Sequence, residues 1–248
     1  MNSTQTFPSQ SQFSATIDGR MDTNNILKEA ALFKDVSDAA LNRVQADMRE
    51  RPYAQGEIIF HEGDPGQVLY LVQSGQVRIF IHGLDGSETS VILRGRPGDI
   101  FGELAVIDGL PRSATAVAME ATVLYTISRE AFRTHMRQNP QVALNFMQEL
   151  SSKVRHNTRQ IDTLTSLPVP QRLARKLMEL AQDYGRVETD GVSINTTLTQ
   201  GQLASLIGAT RESTNKALRE FRRQDWIRLD NGRIIILDPD ALHAQITA

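Results

Sequence analysis

The stretch from Gln141 to Ser166 constrains this chain most. Ala143, Met147, Leu150, Val154, Ile161 and Leu164 recur at alternating intervals of four and three residues, with Asn157 in the missing position. That is a heptad repeat over about three heptads, and a strict 3.5-residue period favours a supercoiled partner over a broad face packed on its own domain. The seam therefore predicts a homodimer through residues 139–167, the alternative being a surface helix of a single chain. Pro168 and Pro170 end the pattern and mark a boundary.

The texture differs on the two sides of this helix. Ile26 to Met48 has helical spacing, with Ser37 as N-cap. From Gly56 onward, short apolar runs are broken by Gly63, Asp64, Pro65 and Gly66. Val77, Ile79 and Ile81 alternate with Arg78, Phe80 and His82, the period of a half-buried strand, and Asp85-Gly86 reads as a turn. Ser113–Ala118 and Thr122–Ile127 complete a set of short strands with Gly-rich turns, predicting a barrel or jelly roll over 23–138. Arg129–Arg137 then returns to helical spacing.

Beyond the prolines, in 168–248, a helix over Gln171–Tyr184 is followed by a short loop through Asp190-Gly191 and helices over Gln200–Ile207 and Thr210–Arg223. Trp226–Asp230 and Arg233–Leu237 flank Asn231-Gly232, the strongest short hairpin signal. Three helices and a hairpin spell a winged helix. The fold class is α+β.

Composition narrows the function. With 248 residues, 40% hydrophobic and 23% charged, the chain has an ordinary globular balance and a net charge of −2. The charge is uneven: Arg211 to Arg233 holds seven Arg/Lys against four Asp/Glu, residues 1–167 sixteen against nineteen. One end alone suits an anionic partner. The absence of cysteine excludes disulfides, thiolate nucleophiles, Cys-ligated zinc and iron–sulfur clusters, and fits a cytoplasmic protein. No apolar run reaches membrane-spanning length. Residues 1–22, rich in Ser, Thr and Gln, read as a disordered tail without a signal core. No nucleophile elbow, metal triad or Walker loop marks an enzyme. His61, His82, His135 and His156 form no heme-binding pattern, so no metal, heme or cluster is expected.

Two constellations carry chemistry. In the first, Leu203, Ala204 and Ile207 supply a helix packing face, Gly208 turns the chain, and Thr210 can cap a second helix. Arg211, Glu212, Ser213 and Thr214 then occupy its first turn, with Lys216 one turn on. Such a turn enters the major groove, where a guanidinium matches guanine and a carboxylate accepts from cytosine. Arg219, Arg222 and Arg223, with Thr199 and Gln200, can meet phosphates. The plain alternative is a solvated helix start carrying an Arg211–Glu212 pair.

In the second, Phe101-Gly102-Glu103-Leu104-Ala105 precedes Pro111-Arg112-Ser113-Ala114. Gly102 allows close approach to the backbone, Arg112 and Ser113 suit a phosphate, and Glu103 suits a ribose hydroxyl. An internal Glu103–Arg112 ion pair is the structural alternative.

In this order, joined by a heptad helix, the two resemble the cAMP receptor protein/fumarate–nitrate regulator superfamily of bacterial transcription factors, over roughly Ile26 to Leu237. Thr210-Arg211-Glu212-Ser213-Thr214-Asn215-Lys216 is close to that family's recognition-helix signature. Gly102-Glu103-Leu104 and Pro111-Arg112-Ser113 look like the phosphate–ribose cassette of its cyclic-nucleotide-binding branch. The resemblance implies a cyclic-nucleotide-type β-roll, with cAMP or a similar cyclic nucleotide as effector and the backbone around Gly102 lining its pocket. It implies base contacts from Asn157 and Thr158, one from each subunit, half-sites like TGTGA in a palindromic operator of double-stranded DNA, and contact with RNA polymerase. Lys153 stands where cAMP-binding members usually carry Arg, and Asn157 where Thr is common. A regulator with another effector or none, and a nucleotide-binding module whose winged helix contacts protein, are the rival readings.

Overall fold

The computed structural model describes residues 23–83, 88–196, 198–230 and 232–247. The predicted tail over 1–22, the Asp85-Gly86 turn and Asn231 lie outside them.

Two helices, α1 (Thr23–Glu29) and α2 (Asp38–Asp47), precede the strands, and the Ser37 hydroxyl accepts from Ala40 N to start α2. Eight strands follow: β1 (Arg49–Tyr53), β2 (Ile58–Phe60), β3 (Val68–Ser74), β4 (Val77–His82), β5 (Glu88–Arg94), β6 (Ile100–Phe101), β7 (Thr115–Ala118) and β8 (Thr122–Ser128). They form two antiparallel sheets, ordered β1-β8-β3-β6 and β2-β7-β4-β5, with the short helix α3 (Glu103–Asp108) between β6 and β7. Between the sheets, Tyr70 stacks on Phe101 with ring centroids 5.0 Å apart, and Phe60 closes on both.

Helix α4 (Arg129–Gln138) leads into α5 (Pro140–Ser166), a 27-residue helix with proline in its first turn, where the missing N–H costs nothing. One face of α5 enters the core through Val142, Asn145 and Phe146. Asn145, a residue without a pattern signal, donates to the carbonyls of Leu32 and Lys34 and pins the helix to the N-terminal segment. Most of the heptad face points away, with Met147 54% exposed, Val154 64% and Ile161 64%, while Leu150 packs against the core and Leu164 reaches the Gly208 turn.

The C-terminal unit comprises α6 (Val169–Tyr184), β9 (Gly185–Glu188), β10 (Gly191–Ile194), α7 (Gln200–Leu206), α8 (Arg211–Arg223), β11 (Ile227–Asp230), β12 (Arg233–Ile236) and α9 (Pro239–Thr247). The expected loop through Asp190-Gly191 is instead the β9–β10 hairpin, and β10 pairs with β12. The wing is thus a four-stranded sheet, β11-β12-β10-β9. Val187 and Val192 carried the missing strand signal, but four-residue strands are too short for periodicity to separate from a loop.

The half-buried alternation expected in β4 fails: Arg78 and Phe80, assigned to water, are 6% and 4% exposed, while Ile81, assigned to the core, is exposed. The cause is tertiary. Helix α7 lies on β5, where the Ser205 hydroxyl accepts from Ser90 N and donates to Glu88 O, both at 2.6 Å, while Arg78 Nη1 donates to Ser90 Oγ. The sheet face that the period assigns to water is covered by the C-terminal unit.

Candidate effector pocket and nucleic-acid interface

Glycine is required at Gly102: its φ is +72°, and a Cβ would lie 2.5 Å from Arg112 Nη1. The Arg112 guanidinium reaches this turn from the opposite side. Its Nη1 donates to Gly102 O at 2.6 Å and its Nη2 to Val68 O at 2.7 Å, while its carbon sits 4.3 Å from the Phe60 ring centroid. Arg112 is 5% exposed, and its Nε is buried with no acceptor. Burial pulls the guanidinium below its ordinary range, opposed by Tyr70, Glu103 and Asp64. A buried cation with donors left over fits an anionic oxygen.

Glu103, the first residue of α3, is also buried, and its partner is Lys153 rather than Arg112. Lys153 Nζ donates to Glu103 Oε1 at 2.9 Å and to Ile100 O at 3.3 Å. Lys153 was legible only as a departure from a family position, because fifty residues separate the pair. Gly102, Glu103, Leu104, Arg112, Ser113 and Asn157 line one cavity of about 750 Å³, within the ~300–1,000 Å³ span of small-molecule sites. Leu104 and Ser113 are exposed at its mouth. Thr158 lies outside this wall; its hydroxyl donates back to Val154 O. Sequence reading placed Phe101 beside the cassette but missed Phe60 and the aromatic floor the two make, since their meeting depends on how β2 and β6 pack.

In the reading unit, Leu203, Ala204 and Ile207 are buried as their spacing predicts. Gly208 turns at φ +59°, and the space a Cβ would need is filled by Leu164 of α5. Arg172 Nη1 holds the turn by donating to Ile207 O and Gly208 O at 2.9 Å each. Thr210 caps α8, its hydroxyl accepting from Ser213 N at 3.1 Å. Arg211, Glu212 and Lys216 stand exposed, with Ser213 half-buried beside them. No ion pair joins Arg211 to Glu212 among the described residues. Thr214 is corrected: it is fully buried, its hydroxyl turned onto Thr210 O, because the inner face of α8 packs on α6 and α7. Thr199 is the N-cap of α7 in a capping box with Gln202, and Gln200 is exposed beside it. Arg222 and Arg219 are exposed, whereas Arg223 is paired with Glu220 at 2.7 Å.

A β-roll carrying this pocket, a long helix with a largely exposed apolar seam and a winged helix-turn-helix define a class: transcription regulators with a cyclic-nucleotide-type domain and a DNA-binding helix-turn-helix. Comparison with known proteins agrees. Residues 50–139 match the Cyclic nucleotide-binding domain and residues 171–245 the Crp-like helix-turn-helix domain. A CRP-like cAMP-activated global transcriptional regulator of Mycobacterium tuberculosis is 32% identical over 88% of this chain and 97% of its own. The Cyclic AMP receptor protein of Thermus thermophilus is 33% identical over 84% of this chain and 93% of its own. The solved structure of FixK2 from Bradyrhizobium japonicum superposes with a TM-score of 0.72 at 21% identity, over 81% of this chain and 98% of its own. The chain belongs to the Crp/Fnr superfamily of bacterial transcription regulators, a family of non-enzymatic proteins. No described helix is long and apolar enough to cross a membrane, and no described group of His, Asp or Glu could hold a metal ion.

Proposed function

We propose that this regulator is a cytoplasmic homodimer, switched by cAMP or a similar cyclic nucleotide, that binds a palindromic operator. The observation that carries the reading is Arg112: a buried guanidinium with an orphaned donor, beside a buried carboxylate, in a cavity of fitting size. In this reading Arg112 and Ser113 receive the cyclic phosphate and Glu103 the ribose hydroxyl. Asn157 meets the base, with Thr158 contributed from the partner subunit's helix.

Dimerisation rests on the exposed seam. Burying Met147, Val154 and Ile161 stabilises a pair by roughly 1.5–3 kcal/mol for each side chain fully covered. A ribose hydroxyl arriving at Glu103 competes with Lys153, so occupancy reaches α5 directly. A ligand shifts the equilibrium between two arrangements only by its differential affinity for them. Arg211 and Glu212 read base edges, helped by Ser213 and Lys216, while Thr199, Gln200 and Thr210 lie against phosphates. Two-fold symmetry sets half-sites about one helical turn apart. Contact with RNA polymerase follows by family likeness.

Calorimetry with cAMP and cGMP, followed by operator binding with and without the tighter ligand, tests the reading. Affinity in the micromolar range and an effector-dependent gain on DNA are expected. A folded protein that binds neither nucleotide would overturn the effector assignment.

A further inference from the structure

A second cavity, of about 510 Å³, lies where α5, α6 and the turn before α8 meet; it adjoins the first, sharing Arg96, His156, Arg159, Lys176, Glu179 and Asp183 with it, while Arg172 and Arg175 line the second alone and Arg112 the first alone. Arg96, Arg159, Arg172, Arg175 and Lys176 line it against only two carboxylates, Glu179 and Asp183. Both carboxylates are engaged, Asp183 by Arg96 and Glu179 by Lys176 at 2.5 Å. Arg159, Arg172 and Arg175 are left without a carboxylate partner among the described residues. Arg172 is held by the carbonyls of the turn, with its Nε buried and lacking an acceptor, and Arg175 Nη1 donates to Thr163 Oγ1 at 2.9 Å. The field is felt by His156 on the same wall. Burial first, then Lys176, Arg159 and Arg94, lower its pKa below the ordinary imidazole range.

Three guanidinium groups facing one concavity repel each other until an anion is placed among them, and their planar forks fit phosphate oxygens. Apart from His156 the wall has no ring on which a base could stack, so the chemistry selects charge over an aromatic group. We propose that this junction is a second anion site, distinct from the Arg112 cassette, that takes a diphosphate or longer polyphosphate, free or as the tail of a nucleotide. Arg159 belongs to α5 while Arg172 and Arg175 belong to α6, so a bound anion braces the dimer helix against the reading unit.

The full chain is titrated calorimetrically with sodium pyrophosphate, ADP and adenosine. Pyrophosphate binds and adenosine does not; ADP binding more tightly than pyrophosphate assigns the site to a nucleotide tail, and equal or weaker binding to free polyphosphate. The Arg159 side chain makes no hydrogen bond among the described residues, and only its carbonyl accepts one, from Thr163 Oγ1, so Arg159→Ala leaves the structure intact; it weakens pyrophosphate roughly ten- to hundredfold, the effect of one charge-assisted contact. Arg159→Lys recovers part of the affinity, and Arg112→Ala changes pyrophosphate binding not at all while abolishing that of cAMP. The proposal is overturned if the folded wild type gives no pyrophosphate binding, or if R159A/R175A binds it unchanged. Transfer of the loss to Arg112→Ala overturns it equally, placing the anion in the cassette.

Discussion

Lys153 Nζ, on α5, donates to Glu103 Oε1, on the first turn of α3, at 2.9 Å. The bond joins the Gly102–Arg112 segment to the element that carries the heptad seam. Lys153→Met leaves the Glu103 carboxylate, 7% exposed, without its cation. The expected cost is about 1–3 kcal/mol of stability, read as a lower urea midpoint. The variant also shows a smaller gain in operator affinity on adding cyclic nucleotide. A full-sized gain would separate this pair from signalling.

Arg112→Ala removes the proposed phosphate contact and two bonds to backbone carbonyls. Cyclic-nucleotide affinity falls by about 2–5 kcal/mol, measured by calorimetry. The thermal midpoint also drops, because the carbonyls of Gly102 and Val68 lose their donor. Unchanged affinity would make Arg112 a purely structural clamp.

Arg211→Ala loses about 1–3 kcal/mol at one G·C position and relaxes specificity there, whereas Arg222→Ala weakens all sequences alike and lowers the salt slope by about one. Arg223→Ala has a smaller effect than Arg222→Ala, since Glu220 already neutralises Arg223. Binding-site selection followed by anisotropy at several salt concentrations distinguishes them. Selection that returns no enriched palindrome would count against the whole operator reading.

Asn157 interrupts an apolar seam and lines the pocket, so packing and occupancy meet in one side chain. Asn157→Leu strengthens the dimer, as removal of a polar seam residue does. It also raises DNA binding without effector and shrinks the effector's enhancement. Anisotropy on wild type and variant, with and without cyclic nucleotide, gives the ratio; an unchanged ratio reduces Asn157 to a register residue.

His156 titrates below the ordinary imidazole value of 6.5, chiefly through burial and then through Lys176, with Glu179 opposing. The unfolded chain therefore takes up its proton first as pH falls. Stability is full above about pH 6.5 and declines as pH drops through the interval down to the depressed folded value. His156→Gln removes this part of the acid sensitivity. Urea midpoints between about pH 7 and 5, compared for the two proteins, check it; identical pH curves would show that His156 stays unlinked to folding.

Much of the architecture is written locally in the chain. The heptad spacing of α5, the Ser37 and Thr210 caps and the packing face of Leu203, Ala204 and Ile207 depend on neighbours three or four residues apart, where backbone geometry alone brings side chains together. The cassette and the recognition turn were legible for the same reason, as short runs of particular residue types. The tertiary structure decided the rest. It chose Lys153 rather than Arg112 as the partner of Glu103, gave Arg112 the Val68 carbonyl forty-four residues away, and buried Arg78 and Thr214 although polar residues usually stay wet. It also gathered Arg159, Arg172 and Arg175 around one cavity. A charged side chain carries the same atoms whether it meets water, a carbonyl or a carboxylate. Which one it meets depends on the desolvation and geometry imposed by distant elements, and no local period records that.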